Sequence, residues 1–315
     1  MARLAPWLRV LGALGVVALL GAHLGTGPVM AGLRAIAPGS VLAALGIGLL
    51  TTVVSAWRWC LVARGLGLPL SLPGAVADCY RALFLNSVLP AGVLGDVHRA
   101  VSHGRRSGDV GRGVRAVALE RTAGLVVLLL VAVAVLLARP NLLAAAAGAI
   151  VPDIGGLLAV LVAAIGLGVV VLRGPRGARV RAALRTAVTD IRAGLLAPAT
   201  WPAVIVLSVT ATAGYLALFV VAARAAGAEA DLPDLLPPLV LALLAMGLPL
   251  GVGGWGPREA VSAIAFGAVG FGATQGLATA VVYGVLSLVA CLPGLVVLLL
   301  HRPGRRASDT MVAEC

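Results

Sequence analysis

Apolar residues along this chain gather in blocks of about 20, separated by short polar stretches. They do not recur at the two-residue or three-to-four-residue spacing of half-buried strands and helices. About 20 apolar residues in a helix cross the hydrocarbon core of a bilayer. Six blocks reach that length with modest latitude at their ends: residues 8–24, 41–62, 116–138, 154–172, 203–223 and 275–300. They predict an all-α polytopic membrane protein.

Two further apolar stretches are interrupted. The first, Phe84 to Arg99, contains Asn86, Pro90, Gly92 and Gly95 and closes on Asp96, His98 and Arg99. The second, Gly247 to Glu259, contains Pro249, Gly251, Gly253, Gly254, Gly256 and Pro257 and closes on Arg258 and Glu259. Each unmet backbone group in hydrocarbon costs several kcal/mol, so irregular backbone at that depth must line a cavity or lie within protein.

The arginines set the orientation. They crowd the amino terminus and residues 99–115, 173–192 and 302–306, and the positive-inside rule puts all four regions in the cytoplasm. Both termini are therefore expected inside, in a multi-pass protein of the plasma membrane. The second span then ends inside near Arg64, as does the basic stretch from Arg99, so residues 76–96 must enter and return. The simplest object is a re-entrant helical hairpin turning between Asn86 and Gly95, with Pro90 and Gly92 as breakers. By the same parity residues 235–272 form a second hairpin, entering from the opposite face and turning between Gly247 and Pro257. The amino-terminal apolar run lacks a small-x-small cleavage site and reads as an uncleaved first span.

The two turns share the pattern L-P-x-G-V-x-G-x-x-x-R, from Leu89 to Arg99 and from Leu248 to Arg258, at an offset of 159 residues. Spans starting at 41 and 203, and at 116 and 275, repeat at nearly that offset. A single domain over 1–300 is expected, with halves of about 1–138 and 139–300 and a cytoplasmic tail at 301–315. Each half reads as span, span, hairpin, span, an inverted repeat of the kind whose interrupted segments meet near the midplane in secondary transporters.

Composition narrows the chemistry. Only 11% of residues are charged, against about 25% in soluble domains. The net charge of +12 sits in loops between apolar blocks, where it sets topology and does not argue for nucleic acid. All 24 basic residues are Arg, which removes a Walker A lysine and a Schiff-base lysine. Gly251 to Gly256 fits G-x-G-x-x-G, but it follows an apolar half-helix and lacks the strand a dinucleotide fold requires. The four cysteines form no C-x-x-C pair and read as small buried residues. No Ser-His-Asp arrangement, paired catalytic carboxylates or metal cluster can be assembled. No enzymatic activity, cofactor or metal is expected.

Charges at membrane depth are functional by default. Arg99 and Arg258 each offer a bidentate fork to a phosphate. The alternative pairs Asp96 with Arg99 on one helix face and gives Arg258 and Glu259 a structural partner. Glu120-Arg121, one turn inside a span, should face the bundle toward the first hairpin, with a snorkelling interface pair as the alternative. Asp78 and Arg81 pose the same choice. Asn86 either caps a half-helix or holds a ligand oxygen. Asn86, Asp96, Arg99, Glu120, Arg121, Arg258 and Glu259 together form the expected head-group site.

The combination of Phe84-Leu85-Asn86, Leu89-Pro90, Gly95-Asp96-Val97 with Arg99, Glu120-Arg121 with Gly124, Leu248-Pro249 and Gly256-Pro257-Arg258-Glu259 resembles one family over roughly residues 8–300. It is similar to the transmembrane region of the lysylphosphatidylglycerol synthases, the flippase-like part of the multiple peptide resistance factor. Leu94 stands where the family commonly has the first of two glycines, and Glu120 where it has Asp. Members with both parts make an aminoacylated phospholipid in a soluble domain and translocate it with the membrane part. Relatives of the membrane region also occur beside glycosyltransferases and polyprenyl-phosphate sugar pathways. This sequence ends about 15 residues past its last span. The resemblance therefore implies a stand-alone translocator of an anionic or aminoacylated phospholipid, or of a related lipid-linked head group, with a separate synthase or transferase as a partner. The other readings are a membrane-embedded enzyme or subunit of lipid-linked sugar or aminoacyl-lipid synthesis, and a non-transporting assembly factor.

Overall fold

Prolines stand at or next to the start of several helices of this chain, among them Pro38, Pro257 and Pro293. In chain order the helices are α1 (Pro38–Gly65), α2 (Leu72–Val88), α3 (Leu94–Arg106), α4 (Val110–Leu137), α5 (Gly177–Gly194), α6 (Trp201–Ala225), α7 (Leu232–Met246), α8 (Pro257–Ala268), α9 (Ala273–Cys291) and α10 (Pro293–Leu300). The computed structural model describes Met30, Arg34 and residues 36–89, 92–138, 177–247 and 255–300. The expected spans at 8–24 and 154–172, the turn residues Pro90, Pro249, Gly251, Gly253 and Gly254, and the tail at 301–315 lie outside the described residues.

Among the described residues, four helical stretches are long and apolar enough to cross a bilayer: α1, α4, α6 and the run Ala273–Leu300. They coincide with four of the six expected spans. Pro293 divides the last into α9 and α10, because a proline lacks the N–H that would continue the ladder. The basic stretch from 177 to 194, expected as a loop, is the helix α5. Asp190 on it accepts from Arg115 of α4 at 2.5 Å, which ties α5 to the bundle.

The series α1 to α4 and α6 to α9 run alike: long, short, short, long. Similar local chemistry ends the matching helices. Gly67 after α1 and Gly227 after α6 take φ of 71° and 85°, a left-handed conformation that only glycine adopts without cost. In both caps the next residue's N–H reaches back to close the helix, Leu68 to Ala63 O and Ala228 to Ala223 O, each at 2.9 Å. Pro73 and Pro233 then stand in the first turn of α2 and α7. Close glycine contacts join the later helices. A Cβ on Gly113 of α4 would meet Ala100 O of α3 at 2.7 Å, and one on Gly276 of α9 would collide with Ser262 O of α8.

α1 packs most extensively on α6, and α9 packs against both. One core gathers Phe219, Leu235, Leu239, Phe266, Tyr283 and Leu286 from α6 to α9. A second gathers Trp59, Ala63, Cys79, Ala100 and Ala116 from α1 to α4. The outward faces stay apolar, with Leu49, Leu125, Leu129, Leu130, Val133, Val206 and Leu299 all exposed. A continuous surface of this kind marks a membrane or partner contact, and on helices of this length it is the surface a bilayer covers.

Candidate functional site

Glu120 organises the first charged cluster. It sits on α4, ten residues in from Val110 at the start of that span, with its side chain only 2% exposed. Burying a lone carboxylate would cost several kcal/mol, so it needs partners. Arg58 of α1 supplies two, through Nε at 3.1 Å and through Nη2, both to Oε1. Arg99 of α3 supplies a third, Nη2 to Oε2 at 3.0 Å. Arg58 also donates from Nη1 to Ser208 Oγ of α6 at 3.0 Å. Gly124, one turn beyond Glu120, leaves the space in which the Arg58 guanidinium lies, since a Cβ there would stand 3.1 Å from Nη2.

Arg99 is 2% exposed and fully engaged apart from Nε, which has no hydrogen-bond partner. It donates to Asp96 Oδ1 and to Glu120, each at 3.0 Å, and to Cys79 Sγ at 3.0 Å. Its guanidinium lies 4.5 Å from the centre of the Trp59 ring, a cation–π contact in a dry setting. The edge of His103 meets the same ring system at 5.3 Å. Burial, and then the nearby Arg106, hold the pKa of the His103 imidazole below its ordinary value.

Asp96 links this buried cluster to the first turn. Its Oδ2 accepts from Asn86 Nδ2 at 3.0 Å, while Asn86 Oδ1 accepts from the Gly95 N–H at 2.7 Å. Asn86 thus closes the turn and caps α3, the commoner of its two expected roles. Gly92 has φ of 61° there. Gly95 packs so tightly on Ala82 O of α2 that a side chain has no room. Arg121 donates to Asp96 Oδ1 at 2.7 Å. Glu120 and Arg121 therefore both face the first turn, as the sequence predicts. Arg121 differs from Arg58 and Arg99 in leaving 45% of its side chain exposed.

That exposure opens on a cavity of about 330 Å³. Asn86, Gly92, Val93, Asp96 and Arg121 form one wall, and Met246 and Gly247, the last described residues before the second turn, contribute to another. Thr51, Thr52, Ser87, Tyr215, Tyr283 and Ser287 add hydroxyls to the lining, with Ile47, Leu83 and Leu218 as apolar neighbours.

The second charged pair lies apart from the cavity wall. Arg258 is 1% exposed and Glu259 is fully buried. Arg258 donates to Glu259 Oε1 from Nε at 3.0 Å and from Nη2 at 2.5 Å. Glu259 Oε2 accepts from the Gly256 N–H at 2.6 Å, a carboxylate capping the amino terminus of α8. The guanidinium lies 4.7 Å from the Trp255 ring centre and 5.4 Å from that of Tyr283. Gly284 makes room for it, much as Gly124 does for Arg58. Elsewhere, Asp78 pairs with Arg81 at 3.0 Å and with the half-exposed Arg106. Among the described residues no group of His, Cys, Asp and Glu has metal-binding geometry.

Sequence reasoning missed Arg58, Trp59, Cys79, Ser208, Tyr215 and Tyr283. Arg58 carried a usable signal, because an ionisable residue inside an apolar block needs a partner. The others gain their roles only through packing between distant helices. No curated protein and no solved structure matches the chain. A family model, the lysylphosphatidylglycerol synthase TM region, matches residues 7–294. With that match spanning nearly all of its length, the chain belongs to the lysylphosphatidylglycerol synthase TM region family, as a multi-pass membrane protein.

Proposed function

We propose that the protein is a lipid translocator of the plasma membrane, which admits a phosphate-bearing head group to the 330 Å³ cavity while the tails remain in the bilayer. The observation that carries this reading is Arg121. Three guanidiniums, those of Arg58, Arg99 and Arg121, meet two carboxylates, those of Asp96 and Glu120. One positive charge is left in surplus, and only Arg121 is exposed to the cavity. A guanidinium with free donors in a low-dielectric wall is a phosphate site. Arg99 and Arg258 hold position in this reading, since their donors are largely taken by Glu120, Asp96 and Glu259.

The finer architecture belongs to the same proposal. The α2–α3 and α7–α8 pairs are re-entrant hairpins within two inverted halves. The repeated helix order, the Gly67 and Gly227 caps and the matching α3–α4 and α8–α9 glycine contacts support it. So does the wall that Asn86 and Asp96 share with Met246 and Gly247. The family match supports lipid head-group chemistry in general terms.

The test is transbilayer movement of a fluorescent anionic phospholipid in vesicles holding purified protein. Arg121→Gln should reduce the rate at least about tenfold, while Arg112→Gln, at an exposed pair away from the cavity, should leave it unchanged. Equal rates for the wild type and Arg121→Gln would sink the reading.

A further inference from the structure

A second pocket, of about 290 Å³, lies where α2 begins and α3 ends, the ends of these helices away from the turn that borders the cavity. Asp78, which lines it, stands eight residues before Asn86 of the cavity wall, roughly 12 Å along α2 at 1.5 Å per residue. The arginines between 99 and 115 run past it, so it lies on the side that the positive-inside rule gives to the cytoplasm. We infer that this pocket is a second anion site, which holds a phosphate group at the cytoplasmic face and is independent of the translocator reading of the cavity.

Amides, hydroxyls and a guanidinium meet there. The ladder of α2 starts with the Ala75 N–H on Ser71 O at 2.9 Å, and Pro73 has no N–H, so the amides of Leu72 and Gly74 lie outside that ladder. Ser71, the residue before the helix, makes no capping bond with its hydroxyl, and no acidic side chain occupies the first turn. A helix amino terminus with open amides and no carboxylate favours an anion. Arg106 is 54% exposed; its Nη2 donates to Asp78 Oδ2, while Nε and Nη1 have no partner among the described residues. Ser107 adds a second hydroxyl. His103 is the observation that does not depend on the helix end. It lines the pocket, is 2% exposed, and its Nε2 is buried with no hydrogen-bond partner among the described residues. A buried nitrogen in that state points to a bound group that completes it.

The negative groups nearby are already answered. Asp78 accepts from Arg81 at 3.0 Å through Oδ1 and from Arg106 through Oδ2, so two guanidiniums meet one carboxylate and a positive charge is in surplus. The carboxyl end of α3 also borders the pocket. Its carbonyls of His103, Gly104 and Arg105 accept from the N–H groups of Ser107, Asp109 and Gly108 at 3.0, 2.9 and 3.4 Å. Surplus positive charge attracts an anion and repels a cation. At about 290 Å³ the pocket lies just below the small end of ligand sites, roughly 300–1,000 Å³, and has room for a phosphate with a short ester arm. A free phosphoester and a lipid head group reaching in from the cytoplasmic leaflet share that chemistry.

The test measures binding of inorganic phosphate and glycerol phosphate by phosphorus NMR line broadening, and of short-chain phosphatidic acid by native mass spectrometry, to the detergent-purified full chain. Each probe is also run on Arg121→Gln, which weakens the cavity as a competing site. Ser71→Asp places a carboxylate at the amino end of α2, where it caps the helix well but repels a phosphate. Ser71→Asp and Arg106→Gln should each weaken binding at least about tenfold with little change in thermal midpoint, while Arg185→Gln, exposed on α5, leaves it unchanged. Phosphatidic acid binding more tightly than the soluble probes assigns the site to a lipid head group; soluble probes binding as tightly or better assign it to a free phosphoester, and either result supports the inference. Affinity weaker than about 1 mM for all three probes, or binding that survives both Ser71→Asp and Arg106→Gln, overturns it. The effect of Arg121→Gln on transport bears on the cavity alone, so the two readings fail separately.

Discussion

The Glu120 cluster and the Arg258–Glu259 pair are built from the same kinds of part, a carboxylate, an arginine on an aromatic face and a glycine on a facing helix that admits a guanidinium, although in the first the last two serve different arginines, Arg99 and Arg58. They differ in closure. The second pair is electrically neutral, almost wholly buried and locked to the amino terminus of α8 by the Gly256 N–H. The first spreads over α1, α2, α3, α4 and α6, carries a surplus positive charge and exposes one arginine to a cavity. A buried ion pair by itself is therefore a poor sign of function here. What separates a fastening from a site is the unpaired charge and its access to space.

Glu120→Gln tests the first half of that comparison with the largest effect. It leaves Arg58 and Arg99 buried without a shared carboxylate and should cost about 3–5 kcal/mol, seen as a large fall in the thermal midpoint in detergent. Glu259→Gln should destabilise by a similar or slightly smaller amount, since it strands one arginine where Glu120→Gln strands two. Its surviving folded fraction should keep the lipid preference of the wild type. A changed preference would show that the second pair also reads the head group.

Gly276→Ala and Gly113→Ala probe the matching helix contacts. Each should cost roughly 1–3 kcal/mol by overpacking, with Gly276→Ala the larger because its Cβ would meet Ser262 O more closely. Arg121→Gln should change stability by less than about 1 kcal/mol, as befits a partly exposed pair, while transport falls. That split between stability and transport is what a site predicts and a fastening does not.

The smallest effect concerns pH. The His103 value lies below its ordinary 6.5 in the folded protein, so the unfolded chain binds more protons near that pH. The stability from His103 is present above about pH 6.5 and is lost as the pH falls below it. Thermal midpoints measured from pH 8 to pH 5 should decline on the acid side, and His103→Gln should flatten the decline.

Much of this was readable in the residues. Block length located four spans, and Pro and Gly positions located the limbs of both turns. The three-residue spacing of Asp96 and Arg99 offered their pairing only as the alternative to phosphate binding by Arg99, and the structure makes that pair. The depth of Glu120 and Arg121 in a span foretold that they face the bundle. The role of Arg58 stayed hidden because its apolar block dilutes one charge, and Trp57 and Trp59 on either side look like ordinary membrane residues. Arg99 looked free for a phosphate because its contacts with Cys79, Trp59 and Glu120 come from three other helices. Which of several arginines is left exposed depends on packing, and no local pattern encodes it.

The surplus charge at Arg121 has an electrical consequence for a protein that moves a head group as proposed. An empty site bears one net positive charge, and a singly charged phosphate cancels it on binding. A 100 mV membrane potential does about 2.3 kcal/mol of work on one charge carried fully across. Net movement of such a lipid carries one charge across the membrane, whereas one-for-one exchange carries none. Imposing a potassium diffusion potential on the vesicles should therefore change net transport, where return is required, more than one-for-one lipid exchange, where it is not.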